Sequence, residues 1–245
     1  MLSLWGMLAF AEAEFDEQKL FQVLEETAPY RNMRLGEGIP QIPEEAYQRA
    51  AQGEIITGIQ EVSGHSASIG WGVAVLKAPI DDFWAGINDG EAHVGKTPIQ
   101  FAKVISGEPC MDQREMLMIL PIPIVSDRWW IIRSSTNPSL KLESKGRMRE
   151  MSWSNVSNAE KRPLPEDLKE RVEDKTVVDF TKGAWLVLQL DEEYILGEYH
   201  TWAIESNQLP FSVSKSIVRS SITKTIRAME SHTRTQPLRC LNKMP

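Results

Sequence analysis

Apolar residues recur with a helical period near both ends of the chain and with a period of two between them. Residues 16–27 and 44–52 each place apolar side chains on one side, and Pro29 and Gly53 follow them as stop signals. These two segments predict short N-terminal helices. A longer helical pattern follows Pro210 and predicts an amphipathic C-terminal helix, whose apolar stripe consists of Val213, Ile217, Val218, Ile222, Ile226 and Met229.

The segment from Ser66 to Val75 predicts a strand with two different faces. One face carries Ile69, Trp71, Val73 and Val75, and the other carries Ser68, Gly70, Gly72 and Ala74. Because the second face is made of small residues, it predicts the close approach of another element. Pro79 then starts a helix whose apolar residues at i, i+3, i+4 and i+7 are Ile80, Phe83, Trp84 and Ile87.

Strand patterns follow in series, and they cover residues 99–106, 114–122, 128–133, 140–153, 181–190 and 194–204. A charged, proline-rich segment interrupts the series, and its middle, 165–173, predicts a solvated helix. Strands that pair locally form an antiparallel sheet, and the C-terminal helix is the long apolar stripe available to cover one face of it. The pattern therefore predicts an α+β fold in which a curved antiparallel sheet of about seven strands surrounds this helix, with an apolar pocket between them.

The composition is that of a globular protein, with 245 residues, 42% hydrophobic residues and 25% charged residues. The net charge of −7 argues against a broad electrostatic surface for nucleic acid. Eight Trp and ten Met are the unusual counts. Both residue types suit the wall of an adaptable apolar cavity, although ordinary core packing explains any single one of them.

The first thirteen residues resemble a secretory signal. The apolar run LSLWGMLAF (2–10) is followed by Ala11-Glu12-Ala13, an A-x-A cleavage pattern, but no positive segment precedes it. The run is too short to span a bilayer, and the alternative is a helix packed on the domain. This interpretation predicts a periplasmic or secreted protein, with a cytoplasmic one as the alternative. It divides the chain into a signal at 1–13, a helical extension at 14–65, the main domain at 66–233 and a tail at 234–245.

The order strand, helix, strands, helix resembles the helix-grip fold of the START lipid-transfer domains and the polyketide cyclase/dehydrase proteins (the SRPBCC superfamily). Three stretches carry the resemblance: GVAVLKAPIDDFWAGIND (72–89), LPIPIVSDRWWIIR (120–133) and the segments GAWLVLQL, GEYHTWAI and LPFSVSKSIVRSSITKTIRAM within 183–229. The similarity covers roughly Ser66 to Met229. It implies an internal cavity for a lipid or another hydrophobic molecule. The superfamily contains both binders and enzymes, and the matching motifs mark structure and carry no catalytic signature.

Several familiar site patterns are absent or out of context. Residues 90–97 match the P-loop pattern, but a predicted helix precedes them and Pro98 disfavours a helix after them, so phosphate binding is not expected. No His or Cys pair has metal-ligand spacing, and no nucleophile elbow occurs, so we expect no metal and no cofactor. Cys110 and Cys240 could form a disulfide in an exported protein, but nothing in their spacing demands it.

Three groups of polar residues could bind or react with a ligand. Glu198, His200 and Trp202 alternate along one strand, so Glu198 and His200 could exchange protons with a ligand if that face points inward; if it points outward they are a structural pair. Arg128, after Asp127, could bind a carboxylate or phosphate head group or belong to a structural network. The basic stretch KLESKGRMR (141–149) is explained by an exposed strand face, with transient contact to an anionic membrane surface as the alternative.

Three hypotheses follow, and the absence of a defined acid–base pair favours the first. It is a carrier that binds a lipid or other hydrophobic small molecule. The second is a cyclase-like enzyme that uses the same pocket through Glu198 or His200. The third is a scaffold with a filled core, and the oligomeric state is open in all three. The candidate ligand-binding residues are Trp71, Phe83, Met116, Met118, Arg128, Trp130, Trp185, Trp202, Ile222 and Ile226.

Overall fold

The computed structural model describes residues 14–62, 67–121, 126–178, 180–204, 211–235, 238–241 and 243. The predicted signal segment 1–13 and the helix start at Pro210 lie outside these residues. The helices are α1 (Glu17–Arg31), α2 (Glu44–Ala51), α3 (Ile80–Asn88), α4 (Pro138–Glu143), α5 (Glu166–Val172) and α6 (Phe211–Thr235). The strands are β1 (Ile56–Glu61), β2 (Ala67–Lys77), β3 (Phe101–Ser106), β4 (Gln113–Leu120), β5 (Arg128–Thr136), β6 (Met148–Asn155), β7 (Thr176–Val177), β8 (Lys182–Gln189) and β9 (Tyr194–Ile204).

The nine described strands form a single sheet in the order β1-β2-β9-β8-β6-β5-β4-β3. Neighbours in this order are antiparallel, and β7 pairs with β5 in parallel. The predicted α+β architecture is confirmed, with a curved antiparallel sheet, a long C-terminal helix and additional N-terminal helices.

Two elements differ from the sequence-based expectation. β1, which the sequence pattern placed in the helical extension, pairs with the free edge of β2, and Gly58 leaves the room that the Trp71 ring occupies. Residues expected to start a strand at 140 instead form α4, because Asn137 caps the helix by accepting a hydrogen bond from the Leu140 backbone N–H and Pro138 stands in its first turn. The basic stretch 141–149 is therefore not one exposed strand face.

Both faces of the sheet are covered. On one face, named here the helix face, α6 and α3 pack against β2 and its neighbours, with a core that includes Phe83, Trp185, Val187, Ile195, Ile222, Ile226 and Met229. On the opposite face, named here the outer face, α1 and α2 cover β1, β2, β8 and β9, with a core that includes Leu20, Val23, Ala46, Ala50, Trp71, Val73, Leu186 and Leu196. Along each strand, successive side chains alternate between these two cores.

The glycines of β2 allow α6 to approach the helix face closely. A Cβ atom added at Gly70 would lie 2.5 Å from Cγ1 of Val218. At Gly72 it would lie 2.5 Å from Cγ2 of Ile222 and 2.8 Å from Cδ1 of Ile226. The predicted close approach on the small face is confirmed, and α6 is the element that makes it.

A disulfide between Cys110 and Cys240 ties the end of the chain to the β3–β4 turn. The two sulfurs lie in a small buried cluster with Ala85 and Leu238. Nearby, the Arg239 guanidinium forms ion pairs with the carboxylates of Asp89 and Glu91. The described part of the tail is therefore attached to the domain by a covalent bond and by charge.

We expect Gly72→Ala to lower the free energy of unfolding by about 1–3 kcal/mol, because the new methyl group overlaps Ile222 and Ile226. Urea denaturation followed by far-ultraviolet circular dichroism measures this change. Gly197→Ala on the adjacent strand is the matched control, since its added Cβ meets its nearest neighbours at 3.6–4.0 Å. Equal destabilisation by the two substitutions would contradict the close packing of α6 on β2.

We expect Cys240→Ser to lower the free energy of unfolding by about 2–4 kcal/mol, because the disulfide restricts the unfolded chain across a sequence separation of 130 residues. Urea denaturation without reductant measures this loss. With reductant present, the wild type and the variant should unfold at similar urea concentrations. Two thiols that react with iodoacetamide in denatured, unreduced wild-type protein would show that the bond is absent.

Candidate ligand-binding site

Packing on the helix face becomes incomplete away from the region where α6 contacts the sheet. Beside the fully buried residues, several large apolar side chains there remain partly accessible, namely Ile99, Met118, Trp130, Trp153 and Tyr199. In a filled core, side chains of this size pack without gaps. From this partly accessible set we infer a space along β4, β5, β6 and β9, and we take it as the candidate site.

Aromatic rings connect this space to the filled core. Trp153 stacks on Tyr199 with ring centroids 5.6 Å apart, and Tyr199 contacts Trp185 at 4.8 Å. Trp185 in turn meets the edge of Phe83 on α3 at 5.7 Å. Burial raises the pKa of the Tyr199 hydroxyl to about 12, so this ring stays neutral at physiological pH. The site thus has a rigid, uncharged aromatic wall.

The predicted ligand-binding residues on this side of the sheet divide into accessible and packed ones. Met118 and Trp130 are cross-strand partners on the helix face and are partly accessible. The packed residues are fully buried in the core, and they are Phe83, Met116, Trp185, Ile222 and Ile226. These five residues pack in the core next to the candidate site, whereas Met118 and Trp130 border it.

Arg128 stands at the first position of β5, opposite Leu120 on the helix face. Its Nη1 donates to Oγ of Ser126 at 3.1 Å, and the Ser126 and Thr176 hydroxyls lie 2.7 Å apart. The described contacts of Arg128 are thus at the end of the strand, next to β7.

Four predicted candidates lie on the outer face and do not border this space. Trp71 packs in the core beneath α2, and the indole Nε1 of Trp202 donates to the Glu37 carbonyl at 3.0 Å. Glu198 and His200 share the face of Trp202, because residues two apart on a strand point the same way. Glu198 and His200 therefore point to the outer face and not toward the space on the helix face.

Glu198 and Glu150 attach the N-terminal extension to the outer face. The carboxylate of Glu198 accepts hydrogen bonds from Arg31 Nη2 at 2.7 Å, Arg34 Nη1 at 3.2 Å and Tyr47 Oη at 3.0 Å. Leu186 is the cross-strand partner of both carboxylates, so all three side chains lie in one row.

Glu150 completes the same network from β6. It accepts hydrogen bonds from Arg34 Nε at 3.3 Å, from the Leu35 backbone N–H at 2.6 Å and from Asn137 Nδ2 at 3.0 Å. Arg34 therefore bridges the two carboxylates. These bonds fix the end of α1 and the chain that follows it over the sheet.

Glu198 and His200 each keep one protonation state near neutral pH. Burial would raise the pKa of Glu198, but the charges of Arg31 and Arg34 outweigh it and hold the pKa below its usual range. Burial lowers the pKa of His200 to about 4. Near neutral pH the network therefore contains a charged carboxylate held by two arginines beside a neutral imidazole.

A surface groove of about 460 Å³ lies on the N-terminal extension, away from the helix face. It is lined by Phe21, Leu24, Glu25, Ile42, Glu44 and Tyr47.

The segment that matches the P-loop pattern has another structure. Gly90–His93 forms a 3₁₀ turn directly after α3, and the chain then leads into β3. Lys96 Nζ lies 2.8 Å from Nδ1 of His232 on α6. Across the described ranges, no group of three or more His, Cys, Asp or Glu residues is arranged to hold a metal ion. Within the same ranges no helix has the length and apolar character needed to cross a membrane.

Trp153 and Tyr199 are site residues that sequence reasoning missed. Tyr199 lies on the face of β9 opposite to Glu198 and His200, the polar pair that the sequence analysis singled out. Arg114 was also missed, although it has the same parity as Met116 and Met118 in the apolar strand pattern REMLMIL. The sequence feature that could have identified Arg114 is a charged residue at a position that the strand pattern assigns to the apolar face.

We expect Glu198→Gln to lower the free energy of unfolding at pH 7 by about 3 kcal/mol, because Arg31 and Arg34 would remain buried without full compensation. The folded-state pKa is lowered, so the contribution of Glu198 is complete above the unfolded pKa of about 4.3 and is lost as the pH falls through the folded value. Urea denaturation at pH 7 and in acid should show that the difference in free energy of unfolding between the wild type and Glu198→Gln becomes smaller in acid. Glu193→Gln, at an exposed ion pair with Lys77, is the control and should change stability by under about 1 kcal/mol.

Comparison of the sequence with protein-family models and with curated proteins finds no match. Comparison of the fold with solved structures finds similar structures. The STAR-related lipid transfer protein fragment from Xanthomonas axonopodis is 18% identical with a TM-score of 0.58, covering 74% of this chain and 94% of its own. Human StAR-related lipid transfer protein 5 is 12% identical with a TM-score of 0.58, covering 89% of this chain and 95% of its own.

The human StarD13 lipid transfer and protein localization domain is 13% identical with a TM-score of 0.55, covering 89% of this chain and 98% of its own. These identities are low, so the likeness concerns the fold. Each structure is matched over nearly its whole length. The chain therefore has the START helix-grip fold.

Proposed function

We propose that this protein binds a lipid or another hydrophobic small molecule in the space on the helix face and acts as its carrier. The observation that carries the proposal is the set of large apolar side chains that remain partly accessible there, including Met118, Trp130, Trp153 and Tyr199. A ligand that covers them would gain roughly 25 cal/mol for each Å² of apolar surface removed from water. The solved structures named as lipid transfer proteins support the same function by fold.

A carrier explains the chemistry of the site better than an enzyme does. The two residues proposed for proton transfer, Glu198 and His200, lie on the outer face with α1 and the chain after it over them. The aromatic wall of the site holds no group that titrates near neutral pH, since the Tyr199 pKa is raised to about 12. Binding and release of an unmodified ligand require no such group.

We also propose that the protein is exported. The Cys110–Cys240 disulfide supports this, because disulfides persist in oxidising compartments. The cleavage pattern at Ala11-Glu12-Ala13 supports it independently. An intact mass of the protein recovered from cells, read for loss of residues 1–13, tests the proposal.

We expect the purified protein to bind N-phenyl-1-naphthylamine, an uncharged apolar fluorophore, and Met118→Trp to weaken this binding at least tenfold by filling the space. Fluorescence titration measures both. Leu142→Trp is the matched control, since Leu142 is 76% exposed on α4 and should leave affinity unchanged. Absence of binding by the wild type, or equal weakening by both substitutions, would contradict a ligand site on the helix face.

A second measurement addresses the natural ligand. Organic extraction of gently purified protein, analysed by mass spectrometry, should recover an apolar compound in near-stoichiometric amount. The Met118→Trp variant, purified in parallel, should carry less of it.

A further inference from the structure

Arg114 and Ser134 form a polar pair in the otherwise apolar helix face. They are cross-strand partners on β4 and β5, and both are nearly fully buried, with exposures of 3% and 2%. Ser134 is also the cross-strand partner of Trp153, which borders the candidate site. The row Arg114–Ser134–Trp153 therefore runs from a buried cation to the wall of the space.

The described contacts of Arg114 do not neutralise its charge. Its Nη1 donates to the Met111 carbonyl at 2.8 Å and approaches Asn88 Oδ1 at 3.4 Å, and Nη2 lies 3.6 Å from the sulfur of Met151. All three acceptors are uncharged. Within the part of the chain that the structure describes, Arg114 forms no ion pair with a carboxylate.

The two acidic residues whose charges act on Arg114, Asp89 and Asp112, are engaged elsewhere. The carboxylate of Asp89 is paired with Arg239, and that of Asp112 accepts a hydrogen bond from Thr136 at 2.6 Å. Burial lowers the pKa of Arg114 to about 10, although the charges of Asp89 and Asp112 act in the opposite direction. The guanidinium is still protonated at neutral pH, so a buried positive charge remains only partly compensated.

Ser134 adds an unsatisfied donor beside this charge. Its hydroxyl is buried and finds no hydrogen-bond partner among the described residues. Buried hydroxyls are ordinarily paired, so this one calls for an explanation. A ligand atom that accepts from both Ser134 and Arg114 supplies one.

We propose that Arg114 and Ser134 bind the carboxylate of an amphiphilic ligand whose apolar part lies along Trp153, Trp130 and Met118. The inference rests on the proposed function, and it adds the chemical class of the ligand. A carboxylate accepts hydrogen bonds from a guanidinium in a planar arrangement and neutralises its charge. A hydroxyl head group would satisfy Ser134 but would leave the charge of Arg114 uncompensated.

A phosphate monoester head group fits this pair less well. It carries up to two negative charges, and one guanidinium would leave part of that charge buried without compensation. The single cation and single hydroxyl match one negative charge.

Arg114 also lies at the C-terminal end of α3, where a cation is favoured by the helix dipole. That role accounts for the contact with Asn88. It does not account for the unpaired hydroxyl of Ser134, and it predicts no preference among ligands.

The experiment compares two probes of equal chain length, dodecanoate and 1-dodecanol, by displacement of N-phenyl-1-naphthylamine at pH 7.5. The wild type should bind dodecanoate at least tenfold more tightly than dodecanol. Arg114→Gln should remove this preference by weakening dodecanoate at least tenfold while leaving dodecanol within about threefold.

Ser134→Ala tests the site without disturbing the charge, and it decides the question if Arg114→Gln fails to fold. It should weaken dodecanoate several-fold and leave dodecanol unchanged. Ser135→Ala, at the next residue on the outer face, is the matched control and should change neither affinity.

Equal binding of the two probes by the wild type, or equal effects of Ser134→Ala on both, would overturn the carboxylate site and leave the proposed carrier function intact. If neither the fluorophore nor either probe binds, the carrier function and this inference fail together.

Discussion

The close contact between α6 and β2 is the constraint on which the rest of the structure depends. Gly70 and Gly72 have no side chain, so Val218, Ile222 and Ile226 occupy the positions where Cβ atoms would otherwise stand. The helix is thereby held against β1, β2 and β9. The sheet continues for five more strands beyond β9 in the ladder order, and there the helix face carries large side chains that are only partly buried. The helix face is thus tightly packed at one side of the sheet, and at the other side its large apolar side chains are left partly accessible.

The outer face is closed in a different way. Two carboxylates, Glu198 and Glu150, lie in the middle of the sheet, where an unpaired charge would be strongly destabilising. Arg31 and Arg34 of the N-terminal extension supply the opposite charges. The extension is thus required by the sheet that it covers, and Glu198 and His200 point toward it on the outer face.

This division of polar groups gives Arg114 and Ser134 their significance. On the outer face the buried carboxylates are matched by cations, whereas Arg114 on the helix face has only uncharged contacts among the described residues. Folding tolerates such a group at the end of α3, where the helix dipole favours it. A bound carboxylate would complete its coordination in the way that Arg34 completes that of Glu198.

Local patterns in the sequence determined the order of most elements, the small face of β2 and the apolar stripe of α6, because each depends on residues near one another in the chain. The sequence did not show which face of β9 meets α6, since both of its faces contain aromatic residues, with Tyr199 on one and Trp202 on the other. β1 was missed because its short segment contains only Ile56 and Ile59 as apolar residues and becomes a strand by pairing with β2. Which face of each strand meets α6, which carboxylates meet arginines and where the packing stays incomplete were decided only by the tertiary structure, because each depends on partners more than 20 residues away.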